Sequence, residues 1–408
     1  MTPITQWICC HLGAREHYAV PRALHRRARL RMMVTDAWVR PGNPVAHIPG
    51  QLSRRLAERY HPDLESAEVR DLTLSLVRHE VEWRLQRRAG WDALIARNEW
   101  FQNAAANLLA ECETRSSERI AVFAHSYSAG AIFRLAKQRG WLTVLGQIDP
   151  GEEHFAMVRR LADAAPQYGA APLGPPIEYF ARWREECALA DHIVVNSEWS
   201  REAVTRAGVA AARLRVLPLA YEGRSDQPAP PHVFPESFTS ERPLRLLFVG
   251  SVSVVKGAAA LLEAMTLVAG LPVTLRLVGE PGMVIPPRFP QQPAIEFVGA
   301  VPRGEIGAYY ASSDALVFPS HSDGFGMAQI EAQAVGLPII ASRSCGRVVE
   351  NGVNGVLLPE VTADAIATAI RSLVARPAVL AHYASHAITS QPSALTQLGA
   401  ELVGLVEA

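Results

Sequence analysis

Asp323 and Glu331 stand with seven residues between them, and that stretch opens with Gly324-Phe325-Gly326 before a helical pattern starting near Met327. Glycines there let backbone N–H groups approach a ligand closely. A helix start adds orphan donors with positive partial charge, so this corner suits an anion. A carboxylate a little more than one turn into the helix can accept from a pair of hydroxyls, and a phosphate joined to a ribose has that pattern of needs. A plain turn beside a solvated Glu331 leaves the same letters, and for a lone glycine loop it is the commoner outcome. Lys256 adds a cation. Of the 40 basic residues only Lys137 and Lys256 are lysines, so a lysine at a strand-to-helix corner of this arginine-rich chain is informative.

Two strand-loop-helix units position these groups. The run ALVF, bounded by Pro319, reads as a buried strand of a parallel sheet. The helix MAQIEAQAV ends at Gly336-Leu337-Pro338, and PIIAS follows as another buried strand. Upstream, LRLLFVG is a strand, SVSVVKG its loop and AAALLEAMTLVA the next helix, which puts Lys256 at the corner.

Taken together, Pro319-Ser320, Asp323-Gly324-Phe325-Gly326, Glu331-Ala332 and Gly336-Leu337-Pro338-Ile339-Ile340-Ala341-Ser342 resemble the signature of retaining GT-B glycosyltransferases of the GT4 type. The family usually has Glu at the first acidic position; Asp323 is one methylene shorter. The resemblance implies that Asp323 contacts hydroxyls of a donor sugar and that Glu331 holds the nucleotide ribose. It also implies a strand, Gly, Arg, Lys-Gly, helix pattern that grips the leaving diphosphate. Gly250, Lys256 and Gly257 match, but Ser251 fills the Arg position. The diphosphate is then expected to lean on Lys256, on N–H donors of Gly324 to Met327, and on an arginine from elsewhere such as Arg15 or Arg347. By the same resemblance, backbone around Phe297-Val298-Gly299-Ala300 meets the nucleobase, and Gly13, in the turn after the first strand, lies at the cleft floor. His125, at the carboxyl end of the strand RIAVFAH, either caps the next helix or faces the donor sugar.

The composition fits this picture. At 408 residues and 49% hydrophobic, the chain can bury two or three cores, and no window of about 18 apolar residues suggests a membrane span. Five cysteines without C-x-x-C spacing argue against a disulfide framework or a zinc site and fit a reducing cytoplasm. The start of the chain lacks a basic leader and a clear cleavage site. No closely spaced His, nor Asp-x-Asp followed by His, offers to anchor a divalent cation, so no metal is expected. Residues 1–225 carry 30 basic against 25 acidic side chains, a net of +5, and the rest carries −5. That asymmetry suits an anionic acceptor or peripheral contact with an acidic membrane face and is too small for nucleic acid.

In chain order, ITQWICC is read as the first strand, a basic helix as running from about Arg15 to Leu30, and RMMVTD as the second strand. The arginines at 22, 26, 27, 29 and 31 are read as a solvated face or an anion-binding patch. Residues 36–62 read as loop, followed by two long helical patterns between Leu64 and Cys112 whose Trp83, Trp91, Trp100 and Phe101 are taken as core. After the strands RIAVFAH and WLTVLGQID, Pro150-Gly151-Glu152-Glu153-His154 reads as a polar tip facing the cleft. Ser197 is read as a helix N-cap.

The expected architecture is α/β, GT-B: two Rossmann-like doubly wound domains facing a cleft. Residues 1–221 form the acceptor-side domain, 222–243 the linker, 244–385 the nucleotide-sugar domain, and 386–408 a helix that crosses back. The expected activity is transfer of a hexosyl group from a nucleotide diphosphate sugar to a glycan or lipid-linked acceptor hydroxyl, with retention as the resemblance implies. The catalytic set is Asp323, Lys256 and His125; the donor-binding set is Glu331, Gly324, Phe325, Gly326, Gly13, Ser251 and Val298. The rival readings are a non-catalytic sugar-nucleotide or glycan-binding subunit, kept open by Asp323 and Ser251, and another GT-B activity such as a phosphorylase.

Overall fold

The computed structural model describes residues 4–42, 56, 59–113, 118–169, 174–220, 232–290, 294–302, 304–387 and 394–407. Most of the stretch read as a linker, 222–231, and the turn into the last helix, 388–393, lie outside them.

Two parallel sheets organise the chain. The first comprises β1 (Thr5–His11), β2 (Leu30–Thr35), β3 (Val69–Asp71), β4 (Arg119–His125), β5 (Leu142–Gln147), β6 (His192–Val195) and β7 (Leu214–Val216), in the order β3-β2-β1-β4-β5-β6-β7. The second comprises β8 (Leu244–Val249), β9 (Val273–Val278), β10 (Ile295–Gly299), β11 (Ala315–Phe318), β12 (Ile339–Ala341) and β13 (Gly355–Leu357), in the order β10-β9-β8-β11-β12-β13. In each sheet the strand order reverses beside the first strand, between β1 and β4 and between β8 and β11. Crevices at the carboxyl ends of open α/β sheets form at such switch points. The strands read as near-continuous apolar runs because helices cover both faces: β11 is buried at all four positions and β4 at six of seven.

One face of the first sheet packs Phe101, Phe133 and Trp183. The other packs Trp7, Phe123 and Leu24 against Leu395, Leu398 and Leu402 of the final helix, Ala394–Glu407. That helix therefore belongs to the first core, and Arg29 to Glu407 at 3.0 Å and Arg119 to the Val406 carbonyl at 2.8 Å tie its end down.

Three expectations change. The helix from Arg15 begins only at Ala19, because Glu16, His17 and Tyr18 adopt left-handed φ angles of 52°, 52° and 58° and cannot continue a right-handed helix. A short edge strand, β3, interrupts the expected helical stretch after Leu64; three residues are too few for a readable alternation. The arginine cluster is solvated at Arg26 and Arg27 but is not a free patch. Arg22 and Arg26 pair with Asp63, Arg29 with Glu407 and Arg31 with Glu118, and Arg27 donates to the Thr396 carbonyl. Phe101 is fully buried and Trp91 packs edge-on to Tyr179 at 5.2 Å, whereas Trp83 is half-buried against His79 and Trp100 and joins no core among the described residues.

Candidate active site in the interdomain cleft

The second domain supplies one wall. After β8 the chain turns at Gly257, φ +75°, into the helix Ala258–Leu267. A Cβ there would lie 1.9 Å from the Pro319 carbonyl oxygen, so only glycine lets the Lys256 loop seat on the loop that follows β11. The two loops are also joined by His321 N–H to the Val255 carbonyl at 2.8 Å. Gly326, φ +91°, turns the second loop into the helix Met327–Ala334, and its missing Cβ leaves room for the Phe318 ring, which would otherwise stand 2.4 Å away. One turn further, the Tyr310 hydroxyl donates to Glu331 Oε2 at 2.8 Å. Tyr310 is buried, so this bond fixes the carboxylate from behind.

Between the domains lies a cavity of about 460 Å³. Lys256, Asp323, Phe325, Gly326 and Glu331 line it from the second domain, and Arg15, Glu16, Ile148, Asn196 and Leu219 from the first. Lys256 Nζ forms an ion pair with Asp323 Oδ2. One chamber therefore brings together the ammonium, both acids and the glycine-led helix start. That arrangement can hold an anion against the amides and lysine while Glu331 accepts from neighbouring hydroxyls.

The other expected site residues fall outside this lining. Gly324 faces the first domain: its carbonyl accepts from Ser197 Oγ at 2.5 Å and Ser200 Oγ at 3.2 Å. Ser197 also caps the helix Glu198–Arg206 through the Ser200 N–H, so one hydroxyl group serves both the cap and the domain contact. Ser251 is exposed in the loop after β8, and Val298 packs on the side of the second core that holds Phe318 and Tyr310. Gly13 sits in the turn after β1, φ +85°, with its N–H on Asp36 Oδ1 at 2.9 Å. His125 lies at the carboxyl end of β4, but it is buried beneath the cleft floor, edge-on to His11 at 4.6 Å, and lines only a smaller pocket under Glu16. Burial, then the neighbouring His11 and Arg15, hold its imidazole well below the ordinary histidine range, so it is neutral there. Arg347 is exposed and does not line the cavity, whereas Arg15 does.

Several cleft residues owe their place to contacts distant in sequence. Tyr310 precedes Glu331 by 21 positions. His154 Nδ1 lies 3.1 Å from Ser322 Oγ, which also accepts from Trp199 Nε1 at 3.2 Å, so the loop carrying Asp323 is held from the first domain. His154 belongs to the first turn of the helix Glu152–Ala164, which replaces the polar tip read from the sequence. Burial lowers its imidazole, partly opposed by Asp149. Glu16, on the cavity wall, is pushed up to about 7 by burial, against the pull of Arg15.

Residues 243–376 match the family model described as glycosyl transferases group 1. Among curated relatives, the D-inositol 3-phosphate glycosyltransferase of Geodermatophilus obscurus is 27% identical over 297 residues, covering 68% of this chain and 64% of that protein. An uncharacterized 41.2 kDa protein in the cps region of Klebsiella pneumoniae is 24% identical over 172 residues, covering 41% of this chain and 48% of that protein. The chain thus spans a little under two thirds of the length of the first relative. Among solved structures, Anabaena HepE in complex with UDP and glucose superposes with a TM-score of 0.62 at 15% identity, covering 99% of both chains. Sucrose-phosphate synthase from Thermosynechococcus elongatus gives 0.61 at 18%, covering 98% of this chain and 99% of that one. At such identities the structural likeness is one of fold. The chain has the GT-B fold, and within its second half residues 243–376 resemble the group 1 glycosyl transferases.

Proposed function

We propose that the protein is a retaining glycosyltransferase that moves a hexosyl group from a nucleotide diphosphate sugar to an acceptor hydroxyl. The observation that carries this is the cavity in which Lys256, Asp323, the amides at the start of the helix Met327–Ala334 and the Tyr310-anchored Glu331 converge, opposite a wall from the first domain. Glu331 accepts from the ribose hydroxyls. Lys256 and the amides take the diphosphate oxygens, neutralising the charge that builds on the leaving group without a metal ion. Asp323, paired with Lys256, faces the donor sugar. The anomeric carbon–phosphate oxygen bond breaks as the acceptor oxygen bonds to that carbon from the same face, and the departing phosphate takes the acceptor proton. The uridine diphosphate seen with the HepE neighbour makes UDP-sugars the first donors to try.

The donor-binding domain is proposed to span 244–385 and the acceptor side 1–221. A glycan or lipid-linked hydroxyl is the proposed acceptor, in polysaccharide assembly. Among the described residues no helix is long and apolar enough to cross a membrane. Peripheral contact of the basic half with an acidic membrane is a companion proposal; failure to co-sediment with phosphatidylglycerol vesicles at low salt counts against it. The donor assignment is tested by incubating the protein with UDP-, GDP- and ADP-sugars and following slow hydrolysis. One of them is expected to be cleaved; absence of both hydrolysis and binding at millimolar concentration would contradict the assignment.

A further inference from the structure

Acids outnumber cations in the cleft. Its lining holds two cations, Arg15 and Lys256, against three acids, Glu16, Asp323 and Glu331. Lys256 is already paired with Asp323. A diphosphate entering such a chamber meets acids on both walls, and one committed ammonium is a weak counterweight. Arg15 differs from Lys256 in having no hydrogen bond or ion pair among the described residues, and its side chain is exposed to the cleft. The backbone accounts for its placement. Glu16, His17 and Tyr18 all occupy the left-handed region, which is strained for a residue carrying a Cβ. Strain of this kind persists only where the surrounding structure holds it and gathers at ligand sites. Here it breaks the line of the helix Ala19–Arg26, and both Arg15 and Glu16 end on the cavity wall. The field of the guanidinium is felt by its neighbours: after burial, it is the next influence lowering His11, to about 3, and it opposes the rise of Glu16.

We propose that Arg15 is the second cation of the donor site. Its guanidinium takes the diphosphate from the first domain while Lys256 takes it from the second, so the nucleoside diphosphate bridges the cleft. This rests on the donor reading given above and adds a residue and a geometry to it. Ser251, neutral and away from the cavity lining, gives the second domain no further cation there. Splitting the grip between domains makes tight donor binding depend on both walls being present.

The test is calorimetric titration of the wild-type chain, Arg15→Ala, Arg15→Lys and, as a surface control, Arg347→Ala with UDP, GDP and ADP, and with the matching nucleoside of whichever binds. Losing a charge-assisted contact is expected to weaken the diphosphate about 10- to 100-fold in Arg15→Ala. Nucleoside affinity is expected to stay within about twofold, Arg15→Lys to recover part of the loss, and Arg347→Ala to match wild type. Equal diphosphate affinity for Arg15→Ala and wild type overturns the bridge while leaving the donor reading intact. A wild-type chain that binds none of the three overturns both. Equal weakening of nucleoside and diphosphate in Arg15→Ala also overturns it, by showing that the substitution distorts the pocket.

Discussion

At the scale of single residues, the two acids of the cleft have separable duties. Glu331 is held from behind by Tyr310 and sits a turn into the helix, a place that in the proposed donor site belongs to the ribose rather than to the reacting bond. Glu331→Ala is therefore expected to weaken nucleoside diphosphate binding by about 10-fold or more, and Tyr310→Phe by a smaller factor of about 3, in proportion to the contacts removed. Asp323→Ala is expected to lower turnover more than affinity, and unchanged turnover in this variant would point away from a catalytic role for Asp323. The acid-glycine-acid spacing and Lys256 were legible because they are short-range features tied to glycines that the backbone requires: Gly257 against Pro319 and Gly326 against Phe318. Tyr310 was not legible, since nothing local marks a buried phenol as the partner of a carboxylate on another helix. His125 illustrates the opposite case. Its strand-end position was readable, but its depth beneath the floor depends on His11 and Phe123 packing over it.

Elements carry the stability predictions. The helix Gly130–Gln138 starts against a buried carboxylate: Glu186 accepts from the N–H groups of Tyr127 at 2.6 Å, Ala129 at 2.8 Å and Gly130 at 3.2 Å, and Gln102 takes the Ala131 N–H at 2.8 Å. Burial raises the Glu186 carboxyl to about 7 despite those donors. A raised folded-state value means that the group's contribution to stability is complete below its unfolded value, near 4.5, and is lost as pH rises through about 7. Glu186→Gln is expected to flatten the fall in Tm between pH 5 and pH 8, and an equally steep fall in the variant would rule this out. Glu186→Ala leaves several amides unsatisfied and is expected to cost about 2–4 kcal/mol. In the second domain the buried strands β8 and β11 followed their apolar runs and the helix Ala363–Ala375 its apolar spacing. The misread elements were the left-handed turn at 16–18, whose residues carry no glycine to announce it, the three-residue edge strand β3, and the helix Glu152–Ala164, whose first turn read as a polar tip.

For the whole molecule, the donor-side loop is built by one domain and fixed by the other. Ser197 and Ser200 hold the Gly324 carbonyl, while His154 and Trp199 hold Ser322. A Cβ at Gly324 would stand 2.8 Å from the Ile148 carbonyl oxygen and 3.0 Å from Asn196 Nδ2, so the domains can approach this far only with glycine there. Gly324→Ala is expected to enlarge the radius of gyration measured by solution scattering and to reduce donor turnover by about 10- to 100-fold, as small misplacements of reacting groups do. An unchanged radius with full turnover would show that this contact does not set the distance between the domains. Such contacts join residues 127 positions apart and arise only once both sheets are in place, which is why the sequence showed Ser197 as a cap and not as a latch. The two-domain fold itself was readable, because each half repeats the pattern of buried strand, turn and helix. The most direct measurement is a crystal structure of the chain soaked with the nucleoside diphosphate that binds it. The phosphates are expected against Lys256 and the amides at Gly326 and Met327, with the ribose hydroxyls on Glu331. A ligand lodged elsewhere, or a Glu331 carboxylate turned into bulk water, would contradict the donor site.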